Sequence, residues 1–258
     1  MSKNDFDINL KEMAEKGLHF GHKPSKTHPK MKPFIHGTRN GMNLIDLEKT
    51  KQGLEKALEI VENLISEDKI LLIVGTKIQS RIWVEDFAQK HNLPFVSERW
   101  LGGTISNFEV IKKRIDYFNE LMEKKEKGEL AKYTKKERLG FDLELKRLKK
   151  KFEGIKSLAK VPDALFVLDI TKDKLATKEA REKEITIIGV ADANADPSLI
   201  DYSIPANDDA VSAIKYILSK LSIAVEKGGK LREIKKQKKE KEEKEEKEEK
   251  ETEKKEEI

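Results

Sequence analysis

Short, unbroken apolar runs recur along this chain, and most are followed by residues with helical periodicity. KILLIVGT (69–76) leads into an amphipathic stretch from Lys77 to His91, and DALFVLDI (163–170) into one from Lys174 to Lys183. TIIGVAD (186–192) and YSIPAN (202–207) precede one from Asp208 to about Val225. MNLIDL (42–47) has the same form, with a helix from about Lys49 to Ile65, and PFVSERW (94–100) ends at Gly102 and Gly103. A run without polar alternation is a strand buried on both faces, and strands alternating with helices are joined by crossovers and so lie parallel. The expected fold is α/β, a doubly wound and mostly parallel sheet with helices on both faces.

Ahead of this pattern, Phe6 to Lys16 reads as a helix ended by Gly17. Between Gly103 and Asp163 the alternation is interrupted. Phe108, Ile111, Ile115, Phe118 and Met122, then Phe141, Leu145, Leu148, Phe152 and Ile155, recur at alternating steps of three and four around a polar segment containing Gly128. Such spacing puts one narrow apolar seam on each helix, and matching seams predict a protruding antiparallel coiled-coil hairpin. Its outer positions are mostly lysine, arginine and glutamate, which argues against a dry protein interface there. Thr76 with Gln79, Ser106 with Glu109 and Thr134 with Glu137 fit capping boxes. Residues 235–258 repeat lysine and glutamate with no apolar residue before Ile258 and are expected to be disordered. The division that follows is a globular domain (1–104 and 158–228) with a basic arm at 16–45, a hairpin (105–157) and a charged tail (229–258).

Composition excludes several classes. The chain has no cysteine, which removes disulfides and thiolate zinc sites and points to the reducing cytoplasm. No apolar run approaches the roughly 18 residues of a membrane span, and the N-terminus lacks a signal-peptide core, so no membrane partner is expected. The net charge of +5 is unevenly placed. Six basic residues and no acids lie between Lys16 and Ile45, and fifteen basic against eight acidic between Lys112 and Lys151, so the remaining globular part is net acidic. Positive charge gathered on two segments is the footprint of a polyanion partner.

The carboxyl ends of parallel strands are where nucleotides bind, so phosphate chemistry would lie in the loops there. GTKIQSR has one glycine where a dinucleotide fingerprint needs three and lacks a P-loop's Gly-Lys-Ser/Thr; WLGGTISN lacks an acidic ribose ligand. A nucleotide-binding enzyme is therefore the alternative reading, not the leading one. Asp192, Asp196, Asp201, Asp208 and Asp209 should gather on one sheet edge, with capping as the ordinary role of Asp196 and Asp208. A metal set of His19 or His22 with Asp192 and Asp208 stays open, although no cofactor is otherwise called for. HFGHKPSKTHPKMKPFIHGTRNG (19–41) holds four of the five histidines and no acid, so it offers no carboxylate to orient a catalytic histidine, and its lysines oppose a cation. It fits an arm held extended by prolines, with lysines and Arg39 for phosphates and Phe20 and Phe34 for stacking. A solvated basic loop with His19 and Phe20 docked on the core is the other reading.

GLHFGHKPSKTHPKMKPFIHGTRNGMNLIDLEKT, ILLIVGTK, RWLGGTISNF, PDALFVLDI and GVADANADP with IPANDDA occur in this order, with a helical insertion before PDALF. They closely resemble the bacterial ribosomal protein S-two family of the small subunit, from about Met13 to Gly229; the Lys/Glu tail departs from it. The resemblance implies a flavodoxin-like domain with a protruding coiled-coil hairpin, at the head–body junction on the solvent side of the small subunit. It implies small-subunit rRNA and neighbouring ribosomal proteins as partners, late entry into assembly and, in many bacteria, a docking surface for the multi-OB-fold protein S-one. It implies no enzymatic activity and a cytoplasmic, ribosome-associated location. The RNA-binding candidates are then Lys23, Lys26, Lys30, Lys32 and Arg39 in the arm, Lys112, Lys113 and Arg114 in the first hairpin helix, and Lys146, Arg147, Lys149 and Lys150 in the second. Arg99 and Trp100 are candidates for RNA or for the core.

Overall fold

The structure, a computed structural model, describes the backbone of residues 6–256 and side chains as far as residue 237. In chain order the elements are α1 (Leu10–Glu15), β1 (Ile35–Arg39), β2 (Met42–Ile45), α2 (Leu47–Ser66), β3 (Leu71–Val74), α3 (Arg81–His91) and β4 (Phe95–Val96). Then come α4 (Phe108–Glu126), α5 (Lys135–Phe152), β5 (Ala164–Val167), α6 (Lys174–Glu182), β6 (Thr186–Ala191), β7 (Tyr202–Pro205) and α7 (Val211–Glu256).

All five strands from β3 to β7 are parallel, in the order β4-β3-β5-β6-β7. Counted within the sheet this is 2-1-3-4-5, a doubly wound order whose direction reverses between β3 and β5. Every residue of β3 and β5 is buried, because the sheet is covered twice. Leu71, Ile73, Ala164, Phe166, Ile188 and Val190 turn to a core built with α2, α3 and α7; Leu72, Val74, Leu165, Val167 and Ile187 turn to one built with α4, α5 and α6. The period-two alternation thus feeds two cores.

MNLI is not a strand of this sheet. It forms β2, paired antiparallel with β1 in a separate two-stranded sheet. Its apolar run has the right look, but it pairs with the strand just before it, across the turn at Asn40 and Gly41, and not through a crossover. The basic arm is also more folded than expected: Pro24–Lys26 and Pro29–Phe34 are 3-10 turns, each with a proline at its start. The first residues of a 3-10 turn need no N–H donor, so Pro24 and Pro29 start turns where extension was expected. Met31 is fully buried, the N–H of His28 donates to Ala193 O (2.8 Å) and Phe20 bridges to Leu44, so the arm lies on the body.

α4 and α5 interrupt the connection from β4 to β5. Ile111, Ile115, Phe118, Leu145, Phe152 and Ile155 are buried, as the three-and-four spacing requires. Tyr117 Oη donates to Glu144 (3.1 Å) and Lys125 Nζ to Asp142 (2.5 Å), so residues that rise along α4 meet residues that fall along α5. Thr134 and Glu137 form the expected capping box. Leu139 and Leu143 of α5 are exposed, among positions expected to be mostly lysine, arginine and glutamate. α7 carries helical backbone to Glu256, into the tail expected to be disordered. Residues 257 and 258 lie outside the described residues. Among the described residues no helix is long and apolar enough to cross a membrane.

Candidate nucleic-acid interface

The carboxyl ends of the strands are filled by the chain's own charges. After β3, Lys77 Nζ lies 2.6 Å from Asp209 Oδ1, 2.7 Å from Asp208 Oδ1 and 3.2 Å from Asp169 Oδ2. Burial opposes the ammonium charge, but the carboxylates of Asp208, Asp209 and Asp169 outweigh it and raise the Lys77 pKa. Burial, with Asp169 and Asp192 nearby, pushes the Asp208 carboxyl up to about 7. Asp208 is therefore a partner of Lys77 and not the expected cap of α7; Asn207 accepts the N–H groups of Asp209 and Ala210 there instead. Asp196 does cap, accepting the Ser198 N–H at 3.0 Å.

The loop that follows β4 is closed in the same manner. Trp100 Nε1 and the N–H groups of Gly103, Ile105 and Ser106 converge on the carboxylate of Glu179, from α6, at 3.3, 2.8, 3.0 and 3.2 Å. Convergent N–H groups of this kind form an anion nest. Burial raises the Glu179 pKa, yet these donors prevail and hold it ionised. Ser106 thus spends its N–H on Glu179 and Thr76 donates its hydroxyl to Asp173 (2.7 Å), so neither expected capping box forms; α4 and α3 start at Phe108 and Arg81 without side-chain caps. Phosphate-type donors at this edge are taken by Glu179 and by the aspartates around Lys77, which disfavours the nucleotide-enzyme reading.

The histidines of the arm meet carboxylates from distant sequence. His22 Nδ1 lies 3.1 Å from Asp192 Oδ2 and Nε2 3.5 Å from Asp209 Oδ2; the Asp192 hydrogen bond raises the His22 pKa. Of the expected metal set, His19 or His22 with Asp192 and Asp208, the structure brings together His22 and Asp192. His22, Asp192 and Asp209 can instead bring one donor atom each within 4.8 Å of the others. Asp209 also pairs with Lys77, so the trio joins the arm to the sheet edge as an ion-pair latch. His19 stacks on Phe20, ring centroids 4.0 Å apart, and burial lowers its pKa. Lys30 is exposed but paired, donating to Asp196 (3.1 Å) and Ser198 (2.6 Å).

The other predicted cations face outward. Lys23, Lys26, Lys32 and Arg39 are exposed along the arm, as are Lys113 and Arg114 on α4. Lys112 is only half-buried and ties α4 to the segment after α5 through Ala159 O (2.8 Å). On α5, Lys146, Lys149 and Lys150 line a cleft of about 320 Å³ that also contains Arg99, from the end of β4; Arg147 is exposed outside its lining. This resolves the open pair: Arg99 is exposed, whereas Trp100 is buried with its N–H on Glu179. Lys151 completes the cleft and was missed, although it continues the run of lysines from 149.

The ribosomal protein S2 family profile matches residues 13–228. The chain is 43% identical over 226 residues to the small ribosomal subunit protein uS2 of Dictyoglomus thermophilum, covering 88% of this chain and 92% of that protein. It is 42% identical to the protein of that name from Coprothermobacter proteolyticus (88% and 84%) and 40% identical to that from a Roseiflexus species (88% and 86%). With this similarity spanning the sheet and the two-helix insertion, the chain belongs to the ribosomal protein S2 family, structural components of the small ribosomal subunit rather than enzymes.

Proposed function

We propose that this chain binds small-subunit rRNA through the outward cations of the arm and of α4–α5, and holds two RNA elements in a fixed relation during assembly and translation. One observation carries the reading: cations at the sheet edge are paired with carboxylates, whereas those of the arm and α5 are largely left to solvent. The sheet acts as a rigid platform, and α4–α5 as a coiled-coil hairpin projecting from it. Phosphates and 2′-hydroxyls are the natural targets, since duplex RNA hides its base edges in a deep groove. Such binding requires no cofactor. Neighbouring small-subunit proteins, protein S-one among them, have an apolar strip to meet at Leu139 and Leu143.

Sedimentation of a cytoplasmic lysate at low and high salt tests this. The chain should travel with the small subunit at low salt and be released as salt rises. A chain that stays at the top of the gradient at both would contradict it.

A further inference from the structure

We propose that the cleft between the end of β4 and α5 binds an unpaired stretch of RNA, its phosphates on Arg99, Lys146, Lys150 and Lys151 and one base against Phe95. The inference rests on the RNA-binding reading and narrows it to one site and one form of RNA. At about 320 Å³ the cleft is a small-ligand pocket rather than a groove for a duplex.

Its charges are sorted. Two of the three carboxylates in the lining are paired with cations, Glu98 with Arg81 (3.1 Å) and Glu153 with Lys149 (3.2 Å), and Glu85 accepts from Ser97 Oγ (2.6 Å). Arg99, Lys150 and Lys151 have no ion-pair or hydrogen-bond partner among the described residues. Lys146 sits near Asp142, which Lys125 already binds at 2.5 Å. An entering phosphate therefore meets uncommitted positive charge without displacing a carboxylate.

Two elements distant in sequence make this cleft, and their contact is close. Gly154, just past α5, backs onto the Phe95 carbonyl oxygen, where any side chain would collide. That contact sets the α5 lysines opposite Arg99. Half-buried Phe95 lies in the same lining and offers an aromatic surface. Proteins read unpaired RNA by stacking splayed bases on aromatics while cations track the backbone.

Fluorescence anisotropy with the full chain tests it, using a labelled single-stranded RNA and the duplex of the same sequence. The combined variant Arg99→Gln, Lys150→Gln, Lys151→Gln should weaken single-strand binding roughly tenfold or more and reduce the log-log salt slope by about 0.7 per cation removed. Duplex binding should fall by a smaller factor. Phe95→Leu should weaken single-strand binding by roughly fivefold or more without changing the slope. Unchanged single-strand binding in the combined variant, or equal loss on the duplex, would overturn the site. Full affinity in Phe95→Leu would overturn the base contact. Should Phe95→Leu unfold, the exposed Arg99→Gln variant, read as the ratio of single-strand to duplex affinity, decides the matter. Wild-type protein that binds neither RNA would instead overturn the RNA-binding reading itself.

Discussion

The acidic edge of the sheet and the basic cleft beside α5 are both crowded with charge, and they are wired in opposite ways. At the edge, Lys77 touches three aspartates, His22 touches two and Glu179 takes four N–H groups, so the electrostatics close on themselves. In the cleft each carboxylate has a partner, Ser97, Arg81 or Lys149, and Arg99, Lys150 and Lys151 are left over among the described residues. The first arrangement fixes the protein's own loops. The second is incomplete without an anion. A charged cluster is informative about partners only after its internal pairs are subtracted.

The largest effect should come from Lys77→Met, which leaves Asp169, Asp208 and Asp209 without their shared cation. Removing one partner of a buried ion-pair network costs about 3–5 kcal/mol, read as the shift in a denaturant midpoint at constant m. A loss under about 1 kcal/mol would mean the edge is not wired as described.

Glu179→Gln should come next. It removes the carboxylate that four donors share, and leaving buried donors poorly satisfied costs about 1–3 kcal/mol. Amide exchange at Gly103, Ile105 and Ser106 should quicken while the β5 amides keep their protection. Uniform change, or none, would separate Glu179 from that loop.

His22→Gln sharpens the comparison through pH. The Asp192 hydrogen bond raises the folded-state pKa of His22 above its ordinary 6.5. Its stabilising contribution is therefore complete below the unfolded value and lost as pH rises through the raised folded one. Asp208, raised to about 7, acts in the same direction, its contribution present below the ordinary carboxylate range and lost as pH rises through about 7. Wild-type protein should lose thermal stability over that window, and His22→Gln should lose less of it, by roughly a few degrees in Tm. Parallel pH profiles would break the latch.

How much of this could be read from the chain depended on where each partner lay. The strands of the sheet were legible because ILLIV and ALFV are buried on both faces and show it as uninterrupted apolar runs. The two inserted helices were legible for the same local reason, since Ile111 and Ile115 mark an inward face by spacing alone. MNLI failed because a strand's composition does not name its neighbour. Thr76 and Ser106 failed because Asp173 and Glu179, about 97 and 73 residues away, outcompete a local cap. His22 looked acid-free for the same reason: Asp192 and Asp209 reach it through the fold. Lysines at the surface were easier to foresee, although Lys30 and Lys112 each have a partner within the chain, Asp196 and the Ala159 carbonyl.

The smallest effect on stability, and the largest on binding, should come from the outward cations. The most direct measurement is the salt dependence of binding to a small-subunit rRNA fragment, made alongside thermal unfolding, for wild type and a variant with Lys23, Lys26, Lys32, Arg99, Lys150 and Lys151 changed to glutamine. The account predicts a steep wild-type slope that becomes shallower by about 0.7–0.9 per cation that contacts phosphate, with stability altered by roughly 0.5 kcal/mol per site or less. A flat wild-type slope, or a variant that unfolds readily while binding RNA as before, would contradict it.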